Sequence, residues 1–192
     1  MKRFVPVFVI TVFLSFHYGA ILYVNSSLLG KFFNQNTVSL LFILGAVASC
    51  ILFLFTAQLI EWFGKRLLLL ILLSVSTLTT LGLAFAQTGA NAAVYFLAHE
   101  CVLLTIYYCL DIFLEEVSLD GNTGEVRGIY LTLINLGIAA GPIILLIFGD
   151  DETFKPIYIL ATVLLIVPLV MTIFTLKSRM PKWHGITHRH IF

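Results

Sequence analysis

The sequence predicts an all-α membrane protein, a bundle of six transmembrane helices. Of its 192 residues, 60% are apolar and only 11% are charged, against about 25% charged in an ordinary soluble domain. The charges fall between long uncharged runs, and a hydrocarbon core about 30 Å thick takes roughly 20 apolar residues to cross as a helix. The cations are also divided unevenly between alternate connections, as a multi-pass chain requires.

Span one covers about 4–27, within a charge-free run from Phe4 to Gly30. Lys2 and Arg3 precede it in the manner of a secretory signal, but the run exceeds the roughly 7–15 residues of a signal core and no small-residue cleavage site follows. It is therefore expected to be retained. Span two covers about 36–60. The uncharged run from Leu67 to Ala98 is too long for one crossing, and the turn-like "AQTGANAA" at 86–93 divides it into span three, 67–86, and span four, 92–114. Span five covers 128–148 and span six 156–176, the latter opening on Pro156, where a missing N–H does no harm. The six spans form one unit, 1–176, followed by a basic tail, 177–192.

Orientation follows from the cations, because Lys and Arg near span ends stay on the cytoplasmic side. One side receives Lys2, Arg3, Lys65, Arg66, Arg127, Lys177, Arg179, Lys182 and Arg189, and the other only Lys31 and Lys155. Both termini are thus expected in the cytoplasm, of a plasma-type membrane, with the acidic stretch 149–152 outside. The formal net charge of +1 and the lack of a basic stripe with interleaved aromatics give no sign of a nucleic-acid partner. Cys50, Cys101 and Cys109 lie in predicted spans without CxxC spacing and read as small buried hydrophobes.

The connection between spans two and three runs Ala57-Gln-Leu-Ile-Glu61-Trp-Phe-Gly64-Lys65-Arg66. A turn this short wants a residue that accepts positive φ, and Gly64 supplies it. Lys65 and Arg66 would hold the turn on the cytoplasmic side. Further on, Gly137 and Gly141 make a GxxxG pair that lets another helix approach closely. Pro142 removes one backbone hydrogen bond, which neighbours in a bundle can repair.

These two stretches resemble signatures of the major facilitator superfamily of transporters. The first is similar to G-x-L-A-D-R-F-G-R-K/R, with Leu59, Phe63, Gly64, Lys65 and Arg66 matching in type, Glu61 in place of the Asp, and Trp62 in place of an Arg. The second, Arg127-Gly128 followed by Gly137 and Gly141-Pro142, resembles the fifth-helix signature G-x8-G-x3-G-P-x2-G-G, with Leu145 and Leu146 at its last two glycines. That signature is associated with exporters that exchange substrate for protons. The resemblance implies one six-helix half of a transporter whose members have twelve spans. It implies that the cytoplasmic cations Lys65 and Arg66 pair with acids at the inner end of helix four, with Glu115 or Glu116 as partners. It further implies that Glu61 meets a helix of a second half, with the glycine face of helix five also prepared for that partner. The tail reads like the start of the basic linker that would join the halves. Helix four lacks the Arg and following Gly that family members often carry there.

Helix four carries His99, Glu100 and Asp111, with Glu115 and Glu116 at its end. Residues eleven apart lie on nearly one helical face, so Glu100, Tyr107 or Tyr108, Asp111 and Glu115 form a polar stripe. An Asp at the centre of a span costs about 2.5–3.5 kcal/mol on insertion scales, so the stripe is expected to line a cavity. His17 lies roughly 20 Å up span one and Glu100 roughly 12 Å down span four at 1.5 Å per residue. The two reach similar heights near the midplane, where transporters hold substrate and coupling ions, and a proton shared between Glu100 and His17 is the expectation. Against it stands the reading of His17 as a helix-packing hydrogen-bond partner. Asp111 and Glu115 are expected to pair with Lys65 or Arg66. Asn25 and Asn135 could hold a substrate or equally cap and pack. His184, His188 and His190 lack a completing acid or Cys and read as a solvated tail, so neither metal nor cofactor is expected.

The leading expectation is a half-transporter that moves a small solute by alternating access, with the bilayer and a second six-helix unit as partners. That unit could be a C-terminal half, a separate chain or another copy. The alternative is an intramembrane enzyme, since Glu115-Glu116 and embedded His resemble in outline the membrane proteases with paired Glu, though Asp120 stands where those carry Arg. No H-E-x-x-H or G-x-S-x-G is present, and a non-enzyme is expected. A nonfunctional fragment is the third reading.

Overall fold

A computed structural model describes residues 4–117, 123–148 and 153–176. Lys2 and Arg3, Asp120, the acidic stretch 149–152 and the tail with its three histidines lie outside the described residues. The described chain is all helical: α1 (Val5–Leu22), α2 (Asn25–Gly30), α3 (Gln35–Phe63), α4 (Lys65–Ala84), α5 (Gly89–Val117), α6 (Thr123–Ala139), α7 (Gly141–Phe148) and α8 (Lys155–Phe174). By length and composition these supply six helical segments able to cross a membrane: α1 with α2, α3, α4, α5, α6 with α7, and α8.

The two broken spans have local causes. Span one turns at Tyr23 and Val24, so that α2 starts with Asn25 buried against α8. Span five breaks at Ala140, immediately before Gly141-Pro142, as expected where a proline cannot donate to the preceding turn. Between α3 and α4 the chain needs a single residue, Gly64, with φ 74°. That left-handed backbone is unstrained only for glycine, and its N–H still closes on the Ile60 carbonyl.

The packing pattern repeats. α1 lies along α8 and α6, while α5 lies along α4 and α3; α4 and α8 pack on one another. Exchanging the first three spans with the last three therefore leaves the pattern unchanged. The outer helices of the two triplets each seat a central helix on a glycine. A Cβ on Gly45 of α3 would stand 3.1 Å from Glu100 Cβ, and one on Gly137 of α6 would run into Ser15 of α1.

Two apolar clusters stack along the bundle. One gathers Ile10 and Leu14, Leu69 and Leu73, Ile106 and Leu110, and Leu165. The other gathers Ala20 and Ile21, Leu83, Phe96, and Ile157 and Tyr158. Between them in every one of these helices sits a buried polar residue: His17 in α1, Ser76 and Thr80 in α4, His99 in α5 and Thr162 in α8. Burying polar groups costs free energy unless they bond. Thr80 and Thr162 do so within their helices, to the Ser76 and Tyr158 carbonyls, whereas the two histidines bond across helices.

Candidate functional site

α3 packs on α5 and α4 but not on α1, and α6 packs on α1 and only slightly on α5. The two flanking helices therefore stand apart, leaving a groove whose floor is α1 and α5. One part of it, about 340 Å³, is lined by Tyr18, Ser49, Cys50, Glu100, Leu103 and Tyr107 among others. A second part, about 420 Å³, is lined by Phe53, Tyr107, Tyr108, Asp111, Arg127 and Tyr130 among others. Leu104 and Tyr107 belong to both, so the two are continuous along α5. The stripe of Glu100, Tyr107 and Asp111 lies on this floor.

At the middle of the bundle, His17 Nε2 lies 3.0 Å from His99 Nε2, and His17 Nδ1 lies 3.0 Å from the Ala161 carbonyl of α8. Both rings are fully buried. A carbonyl can only accept, so His17 Nδ1 carries the proton and the neutral ring's Nε2 is bare. His99 Nε2 must then be the donor, which leaves His99 Nδ1 bare. That atom is buried without a hydrogen-bond partner among the described residues and lies 3.9 Å from Glu100 Oε1. Glu100 is partly exposed to the groove, its stem resting on Gly45. The expected pairing of His17 with Glu100 is thus corrected: successive side chains on α5 point about 100° apart, so His99 turns inward to meet His17 while Glu100 turns to the groove wall.

Three cations, Lys65, Arg66 and Arg127, make contacts that close the basic end of the bundle. Lys65, only 3% exposed, pairs with Glu116 and lies over the Phe113 ring at 4.7 Å. Arg66 reaches across to α8, its Nε donating to the Thr172 carbonyl at 3.3 Å and its Nη2 to Ile173, a cation on unsatisfied carbonyls at a helix C-terminus. Arg127 pairs with Asp111 at 3.2 Å and approaches Glu115 at 3.8 Å. Asp111 therefore meets Arg127 rather than Lys65 or Arg66, because α6 brings its first turns beside that face of α5. At the opposite end, Lys31 lies over Phe154 and Lys155 over Phe85.

Other expected site residues lie elsewhere. Asn25 is buried and accepts from the Tyr158 hydroxyl at 2.8 Å, away from the groove. Asn135 donates to the Leu131 carbonyl of its own helix. Glu61 and Trp62 are exposed at the end of α3. Gly137 and Gly141 face Ser15 and Gly19 of α1 and Tyr23 just after it, so the glycine face closes a contact within this bundle and is not left for a second half. Among the described residues, no heavy atom lies within 4 Å of the Cβ that Gly128 lacks. Cys50, expected to be buried, is exposed on α3, whereas Cys109 is buried. His99 was noted on helix four but given no role from sequence, and Gly45 and Tyr158 were not singled out. For Gly45 the available signal was a lone glycine within an apolar span.

No protein-family model matches the chain, and no curated protein matches it in sequence.

Proposed function

We propose that the chain is a six-helix half of a secondary transporter, similar to one half of a major facilitator superfamily protein, which moves a small solute by alternating access. The groove carries this reading. A continuous trough with a carboxylate, tyrosines and an Asp–Arg pair on its floor is a costly surface to turn toward lipid. It is suited to facing a second six-helix unit across an aqueous path. The repeated three-span packing supports the same reading, because transporters are commonly built from such repeats with the substrate site near the midplane. In this reading the basic end faces the cytoplasm.

The enzyme alternative gains no comparable support. Glu115 and Glu116 are both engaged by cations at the basic end, away from the buried histidines. The test is solute flux in proteoliposomes prepared at limiting protein, so that each vesicle holds at most one copy. Flux that appears only at higher copy number, or on adding a second six-helix unit, is the expected result. Robust flux from single-copy vesicles would overturn the requirement for a second unit, and peptide cleavage without flux at any copy number would overturn the transporter reading.

A further inference from the structure

We propose that Glu100, His99 and His17 form a single-proton binding site loaded from the groove, in which the proton is held between the Glu100 carboxyl and His99 Nδ1 and its charge is shared with His17. This deepens the transporter reading by naming the proton as a second solute of the same groove.

The site is defined by what its hydrogen atoms can do. His17 Nδ1–H is committed to the Ala161 carbonyl and His99 Nε2–H to His17 Nε2, so three of the four ring nitrogens are satisfied. The fourth, His99 Nδ1, is a buried acceptor without a partner, and the nearest carboxylate is Glu100 at 3.9 Å. A carboxylate has no hydrogen to offer. One added proton supplies it. Arriving at Glu100 from the groove, it gives a carboxylic O–H that donates to Nδ1, or it crosses to make an imidazolium beside the carboxylate. In the second case the Nε2 proton can pass to His17 Nε2, moving the positive charge to α1 while His17 Nδ1–H stays on Ala161. No covalent bond other than N–H or O–H is made or broken, and a second proton finds no free ring nitrogen.

The surroundings leave this site to the proton. Among the described residues, Glu100 approaches His99 Nδ1 at 3.9 Å and pairs with no lysine or arginine. The titratable groups around it are phenols and thiols: Tyr18 of α1 and Tyr158 of α8 lie within electrostatic reach, and Cys50 of α3 and Tyr107 of α5 line the same part of the groove. From α4 the polar layer offers only hydroxyls. Closing the 3.9 Å gap to hydrogen-bond length would draw the carboxyl from the groove wall beside Gly45 toward the interior. α1 and α5, which otherwise touch little, would then be joined more firmly through the histidines. Proton occupancy would thereby alter both the groove and the link between the two three-span units.

The test is nitrogen-15 histidine NMR of the full chain in lipid nanodiscs across the imidazole range, about pH 5–8. Three results are expected. A coupling through the hydrogen bond links the two Nε2 atoms. His99 Nδ1 moves from a bare to a protonated or hydrogen-bonded signal as pH falls, and His17 Nδ1 stays protonated throughout. Glu100→Gln, whose amide can donate permanently, holds His99 Nδ1 in its hydrogen-bonded position at every pH, while Glu100→Ala leaves it bare. A His99 Nδ1 response that persists unchanged in Glu100→Ala would overturn the proposal. So would absence of the coupling or a pH-silent His99 in the unaltered chain, results that need no variant to fold. The spectra require no transport. A titrating pair in a chain that moves no solute would retire the transporter reading alone, and flux with a pH-silent His99 would retire the proton site alone.

Discussion

The Tyr158 hydroxyl donates to Asn25 Oδ1 at 2.8 Å, with both side chains almost fully buried, and so ties the start of α2 to α8. This bond fixes the first residue of α2, just past the turn that divides the first span. Tyr158→Phe leaves Asn25 Oδ1, the side-chain amide oxygen, buried without its donor, which costs about 1–3 kcal/mol. Replacing both partners, as Tyr158→Phe with Asn25→Leu, should recover part of that loss, because two matched apolar groups leave nothing unsatisfied. Unfolding midpoints in detergent for the single and double variants measure the difference. Equal midpoints for unaltered protein and Tyr158→Phe would contradict this account.

Gly137 and Gly128 belong to the same sequence pattern but to different environments. A Cβ at 137 collides with Ser15, including its backbone, whereas a Cβ at 128 meets nothing within 4 Å among the described residues. Gly137→Ala should force α1 and α6 apart and lower the melting temperature. Gly128→Ala should leave it unchanged or raise it, since alanine is favoured over glycine within a helix by about 1 kcal/mol. Reversal of that order would mean that the α1–α6 contact is not close.

Lys65 is the more buried partner of the pair with Glu116. Glu116→Gln leaves a buried ammonium without its counter-charge, while Lys65→Met leaves a carboxylate that can turn to solvent. Breaking a buried pair is worst when it strands the buried charge. Glu116→Gln should therefore destabilise the bundle more than Lys65→Met in thermal unfolding. The opposite order would assign Lys65 a solvated position.

If the basic end faces the cytoplasm, opposite ends of α3 should label from opposite sides. Trp62 is 73% exposed at one end and Asn36 is exposed at the other. With the three native cysteines replaced by alanine, a membrane-impermeant thiol reagent added to intact cells should label Asn36→Cys and not Trp62→Cys. Strong labelling of Trp62→Cys from outside would invert the orientation.

The groove gives a fourth contrast. Gly45→Ala brings a methyl against the stem of Glu100 at 3.1 Å, displacing the carboxyl, whereas Ala46→Ser changes the neighbouring residue of the same groove lining. In the transporter reading, flux should fall more in Gly45→Ala than in Ala46→Ser when both are compared at equal amounts of folded protein. Equal flux would mean that Glu100's placement on α3 does not matter to transport.

The six apolar helices were legible in the sequence because lipid imposes a one-dimensional rule: a crossing needs a fixed length of apolar chain with its backbone bonded internally. Gly64 was legible for a similar reason, since a one-residue turn leaves few choices of backbone. The polar stripe on α5 followed from helical periodicity. Partners did not. His17 bonds to His99 rather than Glu100, Asp111 to Arg127, Asn25 to Tyr158, and Gly137 packs on Ser15. Each pairing depends on the rotation of one helix about its axis relative to another, and neighbouring side chains differ by about 100° in direction. Depth along a span could be counted from the sequence, which placed His17 and Glu100 at one level; that the neighbouring His99, and not Glu100, faces His17 was decided only when α1, α5 and α8 packed together.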